Sequence, residues 1–247
     1  MSLLKDRAVV LRRLDYSETS QVIAVFTREH GQQRLIAKGI KRGTKTRVAV
    51  GVDLLELGNV VFSQRPGKEE TLSVMTEWRQ EESFSHLRRD LPKLYAAQYA
   101  AEVTAQLTEV HDPHRVLFDG LIDFLRALAD ATAIEALIEY LKLLLKEIGL
   151  RPELSVCMSC GRGVICDAIV YFSSRQGGAI CRDCEPAMVE KRRVSPEVLR
   201  LLSNAGASGL KQSGEAFDLM DYHLREIMGK AARLSAPLRA ALGLVSR

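Results

Sequence analysis

Short apolar runs rich in β-branched residues fill the first part of the chain. They are Ala8-Val9-Val10-Leu11, Val22-Ile23-Ala24-Val25-Phe26 and Arg34-Leu35-Ile36-Ala37, then Val48 to Leu57, Val60-Val61-Phe62 and Leu72-Ser73-Val74-Met75. Gly31, Gly39, Gly43 and the Pro66-Gly67 pair punctuate them. Runs this short, bounded by turn residues, predict strands rather than helices. Five or six strands at such spacing predict a small barrel or sandwich, with an OB-like barrel the natural solution and an SH3-like barrel the alternative.

After Trp78 the period changes to that of a helix. Leu91, Leu94, Tyr95, Ala97, Ala101 and Ala105 form one stripe, with Pro92 where a first turn tolerates it. Val116, Leu117, Leu121, Phe124, Leu125 and Leu128 form a second. Ile134, Leu137, Ile138, Leu141, Leu144, Leu145 and Ile148 form a third, stopped by Gly149 and Pro152. Stripes of this kind pack a core. Ser195-Pro196-Glu197 predicts a further helix start, and Phe217 to Leu234 another helix. The expectation is an α+β multidomain chain: an OB-fold barrel over 1–80, then an all-α helical domain over 81–247 carrying an insert at about 156–186.

That insert holds all five cysteines. Cys157-Met158-Ser159-Cys160 and Cys181-Arg182-Asp183-Cys184 are two C-x-x-C pairs separated by 20 residues, with Gly161 after the first and Gly177-Gly178 before the second. This is the spacing of a four-thiolate zinc site, each pair on a tight turn that aims two sulfurs at one ion. Four thiolates close the coordination shell, so the expected zinc is structural rather than catalytic. A thioredoxin-like redox pair would need a βαβ setting. Cys166 falls outside the pairs and reads as a small buried side chain, with an exchange for Cys160 left open.

Composition narrows the class. With 247 residues, 47% hydrophobic and 27% charged, the chain is of ordinary globular make-up. Even the apolar stretch 133–150 carries Glu135, Glu139, Lys142, Lys146 and Glu147, so no membrane span is expected. The amino terminus lacks the apolar core of a secretory signal, which makes the cytoplasm the expected location. Residues 1–80 hold 14 Lys/Arg against 9 Asp/Glu, residues 81–150 hold 7 against 12, and residues 151–247 hold 14 against 10. Basic ends around an acidic middle point to an anionic partner, or to solvated faces.

The sharpest charge feature is Arg34, Lys38, Lys41, Arg42, Lys45 and Arg47, six cations within 14 residues and no acid among them. With Gly39, Gly43 and Thr44 between them the stretch reads as a loop between strands, near Arg12 and Arg13 at the end of the first strand. A basic loop on a small barrel suits phosphate tracking, whereas a solvated loop is the plain alternative. Tyr16, Phe26 and Phe62 are the aromatic candidates for stacking, and the two phenylalanines read as core. Backbone electrostatics then outweigh stacking, which predicts little sequence preference.

At these residues the chain resembles the RecO family of bacterial DNA repair proteins. The likeness rests on Ala8-Val9-Val10-Leu11-Arg12, Asp15-Tyr16-Ser17-Glu18, Phe26-Thr27-Arg28-Glu29-His30-Gly31 and Ala37-Lys38-Gly39. It continues through Leu117-Phe118, Leu121, Phe124-Leu125, Leu144, Gly149-Leu150 and Pro152. Cys157-x-x-Cys160-Gly161 and Gly177-Gly178 before Cys181-x-x-Cys184 match the zinc-bearing members. Cys166 is not part of that pattern. The resemblance, over about residues 6–235, implies an OB fold, a helical domain and a zinc motif. It implies binding of single- and double-stranded DNA, annealing of complementary strands, and action with RecR to load RecA on strands coated by single-strand-binding protein. It further implies that the acidic tail of single-strand-binding protein docks on the helical domain, for which Arg193, Arg200 and Lys211 are candidate rim residues.

Enzyme motifs do not emerge from the sequence. Gly39 to Thr46 lacks the order of a phosphate-binding loop, and neither G-x-S-x-G nor H-E-x-x-H occurs. His111-Asp112-Pro113-His114 reads as a turn between helices, and Asp15 and Glu18 have no base or metal to work with. The expectation is a non-enzyme. Its alternatives are an RNA-binding or ribosome-associated OB and zinc-ribbon protein, and a zinc-stabilised scaffold that recruits proteins.

Overall fold

The computed structural model describes residues 2–40, 51–64, 72–164, 169–203 and 210–244. The chain packs as two compact units, residues 1–130 and 131–247.

In the first unit β1 (Ser2–Asp15), β2 (Gln21–Thr27), β3 (Gly31–Ala37), β4 (Leu57–Gln64) and β5 (Ser73–Glu82) close a barrel in the order β1-β2-β3-β5-β4. All neighbours are antiparallel except β3 and β5. This is the expected OB-type barrel. Ala8, Val10, Ile23, Val25, Leu35 and Phe62 fill its interior, the alternate residues of the predicted runs. Val10 and Leu11 are both buried because the register slips between Val10 and Arg12, a bulge that turns the strand over. Beyond it Arg12 and Leu14 lie on the outer face, and Arg13 shares a row with the inward-facing Ile23.

Two strand expectations differ from the structure. Within the run Val48 to Leu57, residues 51–56 form a loop whose backbone ties to the bulge: Leu55 N donates to Val10 O at 2.9 Å and Val10 N to Glu56 O at 3.0 Å. Apolar residues serve burial there rather than a strand: Val52 joins the barrel core, and Leu55 is buried near Phe84, Leu87 and Leu94. The last strand also runs past Trp78 to Glu82, since Trp78 pairs with Val60 and Gln80 with Gly58.

Two helices, α1 (Leu91–Leu107) and α2 (Arg115–Ala127), belong to the same unit. The Asp90 carboxylate caps α1 by accepting from Lys93 N at 3.1 Å. Gln32 of β3 donates through Nε2 to Thr108 O at 2.8 Å and to Thr108 Oγ1 at 2.7 Å at the end of α1. Phe26 meets Phe118 of α2 with ring centroids 5.9 Å apart, and Arg28 forks the Asp119 carboxylate. The strands end at Glu82 and α1 begins at Leu91, a few residues beyond the change of period after Trp78. The compact unit nevertheless extends to residue 130, because β2 and β3 lend their outer face to these helices.

The second unit starts with α3 (Ala133–Glu147), which ends at Gly149 in the left-handed region with φ +74°. After the four-cysteine segment come β6 (Val170–Ser173), β7 (Gly178–Ile180) and β8 (Arg192–Val194), a sheet of order β7-β6-β8. Helices α4 (Pro196–Leu202), α5 (Leu210–Met228) and α6 (Ser235–Ala241) follow. Ser195 caps α4 through Val198 N, as its sequence predicts. The helix expected over 217–234 instead begins at Leu210 and ends at Met228, where Gly229 adopts φ +69° and releases the chain. Arg239 of α6 pairs with Asp218 and Asp221 of α5 and fixes the two helices together.

His223 of α5 joins helix to sheet. Its Nδ1 lies 2.7 Å from Ser174 Oγ, its Nε2 lies 3.2 Å from Leu150 O, and its ring meets Phe172 edge-on at 5.3 Å. Burial pushes its pKa below the ordinary histidine range, only partly opposed by the Leu150 carbonyl and the charge of Glu190. The folded chain therefore holds His223 neutral. Below the unfolded value of about 6.5 the unfolded chain takes up a proton that the folded chain resists, so stability falls as pH drops through that range. Urea midpoints should decline from pH 7 to pH 5.5 and decline less in His223→Gln; an equal decline in both proteins would remove His223 as the cause.

Candidate nucleic-acid face and metal centre

The outer face of β1, β2 and β3 is divided by the helices that pack on it. The row Val9–Phe26–Gln32 is buried, with exposures of 0%, 0% and 6%. The next two rows on that face, Arg12–Ala24–Arg34 and Leu14–Val22–Ile36, are not buried. Leu14 is 59% exposed, and Tyr16, just past the end of β1, is 67% exposed. Lys38 continues β3 beyond these rows.

Arg12, Arg34 and Lys38 are exposed and have no acidic partner among the described residues. Arg13 differs: its Nη1 donates to Asp53 Oδ1 at 2.8 Å, and Asp53 also accepts from Arg88 Nη2 at 2.6 Å. Burial raises the pKa of Asp53, but the Leu54 N–H and the two arginines outweigh it and hold the carboxylate charged. Alternation along the strand sends Arg12 and Arg13 to opposite faces, and the bulge before them sets which of the two faces outward. Lys41, Arg42, Lys45 and Arg47 lie outside the described residues. Phe26 and Phe62 are wholly buried, as expected, which leaves Tyr16 as the exposed ring of the three.

The face therefore offers apolar surface, with Tyr16 exposed just past the end of β1, and cations that have no acidic partner among the described residues. Such a surface can hold bases by stacking and apolar contact, and phosphates by charge. Leu14, Val22 and Ile36 were missed as members of it from sequence alone. The one available signal is local: Arg12-Arg13-Leu14-Asp15 breaks the alternation of β1, and a bulge is what such a break records.

In the second unit the predicted cysteines meet. The sulfurs of Cys157, Cys160, Cys181 and Cys184 all lie within 4.8 Å of one another, and no other such group of ligand-type residues occurs among the described residues. Cys160 and Cys181 sulfurs are 3.8 Å apart. The edge of a tetrahedron with metal–sulfur bonds of about 2.3 Å is about 3.8 Å, whereas a disulfide would need about 2.05 Å. Two tight turns aim the sulfurs. Gly161 N donates to Cys157 O at 2.8 Å with Gly161 at φ +73°, and Cys184 N donates to Cys181 O at 3.2 Å.

Backbone bonds lock the two turns together: Met158 N to Ala179 O at 2.8 Å and Ala179 N to Glu153 O at 2.8 Å. Gly178 permits this approach, since a Cβ there would collide with the Glu153 carbonyl. Burial raises the thiol of Cys157, but N–H groups of Cys181, Cys160 and Ser159 overcome it and bring the pKa down to about 6. At Cys184 the hydroxyl of Ser159 favours the thiolate, yet the three neighbouring sulfurs prevail and push the pKa up to about 12. Four crowded thiols resist ionising together unless a cation neutralises them, so the donor set fits a metal ion. Cys166 lies outside the described residues.

A closed OB-type barrel with helices on part of its outer face, followed by a helical unit with a four-cysteine knuckle, defines an α+β protein of the OB-barrel class. The N-terminal family model of recombination protein O matches residues 1–84, and its C-terminal model matches residues 88–237. The chain belongs to the RecO family of DNA repair proteins. It is 31% identical over 253 aligned residues to the DNA repair protein RecO of Anaeromyxobacter dehalogenans strain 2CP-C, covering 100% of this chain and 88% of that one. To the DNA repair protein RecO of Bacillus pumilus strain SAFR-032 it is 30% identical over 201 residues, 81% of this chain and 75% of that one. To that of Rhodopirellula baltica it is 31% identical over 202 residues, 79% and 72% of the two chains. No helix among the described residues is long and apolar enough to cross a membrane.

Proposed function

We propose that this chain is a non-enzymatic recombination mediator that binds single- and double-stranded DNA and anneals complementary strands. In that role it acts with RecR to load RecA onto strands coated by single-strand-binding protein, in the cytoplasm at the nucleoid. The observation that supports the reading is the open part of the barrel face, where Arg12, Arg34 and Lys38 have no acidic partner among the described residues and Leu14 is exposed, with Tyr16 exposed just past the end of β1. Residues 1–80 would form the nucleic-acid-binding domain, with Lys41, Arg42, Lys45 and Arg47 extending the cationic path and Arg13 the weakest contributor. Residues 81–247 would form the partner-binding domain, with one structural Zn²⁺ on Cys157, Cys160, Cys181 and Cys184.

Annealing makes and breaks no covalent bond. Neutralising phosphates lowers the repulsion between two strands, and holding them side by side replaces a bimolecular encounter with a local one. The test is an annealing assay on complementary oligonucleotides, with and without single-strand-binding protein, across a salt series. Acceleration that fades as salt rises supports the reading. No acceleration at low salt, or a preference for RNA at equal salt, would reject it.

A further inference from the structure

We propose that Cys160 and Cys181 are a peroxide-sensitive pair: hydrogen peroxide oxidises Cys160, Cys181 closes a disulfide onto it, and the four-sulfur shell opens reversibly. This rests on the reading that zinc occupies the four sulfurs, and it adds a covalent modification of the site.

The four sulfurs are not equivalent. Cys157 is buried, Cys181 and Cys184 are half-buried, and Cys160 is exposed. Cys157 accepts N–H hydrogen bonds from Cys181, at 3.3 Å, and from Cys160 and Ser159. Bonds that stabilise a thiolate also lower its nucleophilicity. Among the described residues no N–H reaches the Cys160 sulfur. An oxidant arriving from solvent therefore reacts at Cys160 first.

Position selects the second sulfur. Cys157, on the same turn as Cys160, is buried and held by its three N–H groups. Cys181, on the other turn, has its sulfur 3.8 Å from that of Cys160, and a disulfide closes this to about 2.05 Å. Arg162, two residues after Cys160, and Asp183, two residues after Cys181, bridge the same turns at 3.0 Å on the exposed side. The segments that the new bond joins are thus already in contact.

Oxidation proceeds in two steps. The Cys160 thiolate attacks one oxygen of the peroxide: an S–O bond forms, the O–O bond breaks, and hydroxide leaves to take up a proton as water. The Cys181 thiolate then attacks the sulfur of that sulfenic acid: the S–S bond forms, the S–O bond breaks, and a second hydroxide leaves. The two sulfurs give up two electrons and the peroxide accepts them. Cys157 and Cys184 then remain as thiolates, two where a closed zinc shell takes four. The disulfide leaves intact the backbone bonds from Met158 N to Ala179 O and from Ala179 N to Glu153 O, so reduction by a dithiol with zinc present restores the site. Every cysteine lies between residues 157 and 184, so the barrel takes no part.

The test treats the full-length, zinc-loaded protein with hydrogen peroxide. Released zinc is followed with a colorimetric chelator, and disulfides are mapped by mass spectrometry of unreduced peptides. Zinc release should rise in step with a single Cys160–Cys181 bond, and dithiothreitol with added zinc should reverse both. Histidine is itself a zinc ligand, so Cys160→His and Cys184→His can keep the metal. Release should slow about tenfold in Cys160→His and stay near the wild-type rate in Cys184→His. Cys181→His should stop at a Cys160 sulfenic acid that dimedone traps. The wild-type peptide map needs no variant: a bond within one C-x-x-C turn, a bond to Cys166 or Cys184, or oxidation without a disulfide overturns the pair. Equal release rates in wild type and Cys160→His overturn it as well. Zinc well under one per chain before peroxide is added removes the zinc reading alone, because the map still reports which sulfurs join.

Discussion

Cys181→Ser is expected to abolish stoichiometric zinc binding and to melt the sheet and knuckle of the second unit, while the barrel stays folded. The four sulfurs sit within 4.8 Å of one another, and the segment joining them has only short strands to hold it, β6 with four residues and β7 with three. A structural zinc contributes about 10–16 kcal/mol in isolated peptides. That is comparable to the whole stability of a domain, about 5–15 kcal/mol. The surviving contacts, chiefly Phe172 and Val194 in the core, cannot replace it. The chain has one tryptophan, Trp78, and it lies in the barrel. Its emission should therefore be unchanged in the variant, whereas amide exchange across residues 169–194 should rise to near the unprotected rate. Metal analysis showing one zinc per chain in Cys181→Ser, or well under one in the wild type purified without chelator, would reject the four-thiolate site.

Arg34→Ala/Lys38→Ala is expected to weaken binding to single strands of any sequence and to flatten its salt dependence. Each lost phosphate contact reduces the slope of log K against log salt by about 0.7 on single strands and about 0.9 on duplex. The double variant should thus lose about 1.4 on single strands. Lys41→Ala/Arg42→Ala should behave in the same way if the following segment continues the path. Tyr16→Ala tests stacking, which is worth roughly 1–3 kcal/mol per base, or about 5- to 150-fold in affinity, and should leave the salt slope alone. Arg13→Ala serves as the contrast, because its charge is already met by Asp53 at 2.8 Å. An unchanged affinity and slope in the first two variants would reduce the cationic stretch to a solvated face.

Much of the architecture was legible in the chain. The β-branched runs report strands because their alternate residues fill a barrel interior, and the helical stripes report α2 and α3 because each buries one face. Of the stripe expected in α1, by contrast, only Ala97 and Ala101 are buried, alongside Ala96, Tyr99, Ala100 and Val103, and Leu91 is exposed. The cysteines are the strongest case. Two C-x-x-C turns can aim four sulfurs at one point once the fold brings the pairs together, and the four sulfurs do lie within 4.8 Å of one another. Capping was local as well, at Asp90 and Ser195.

What the sequence by itself determined is what depends on neighbours along the chain: periodicity, caps, turns and the composition of a metal knuckle. Tertiary structure decided which of two adjacent arginines lacks an acidic partner among the described residues, since Asp53, 40 residues further on, meets Arg13 and not Arg12. It also decided that Val52 joins the barrel core from a loop instead of a strand, and that α1 and α2 cover one row of the outer face and leave the next two open. The position of β8 at the edge of its sheet among the described residues belongs to the same group, because a strand's neighbours are set in space and not along the chain. These outcomes follow from which surfaces meet across long separations in sequence, and a one-dimensional pattern carries apolar character without carrying the identity of the partner that buries it.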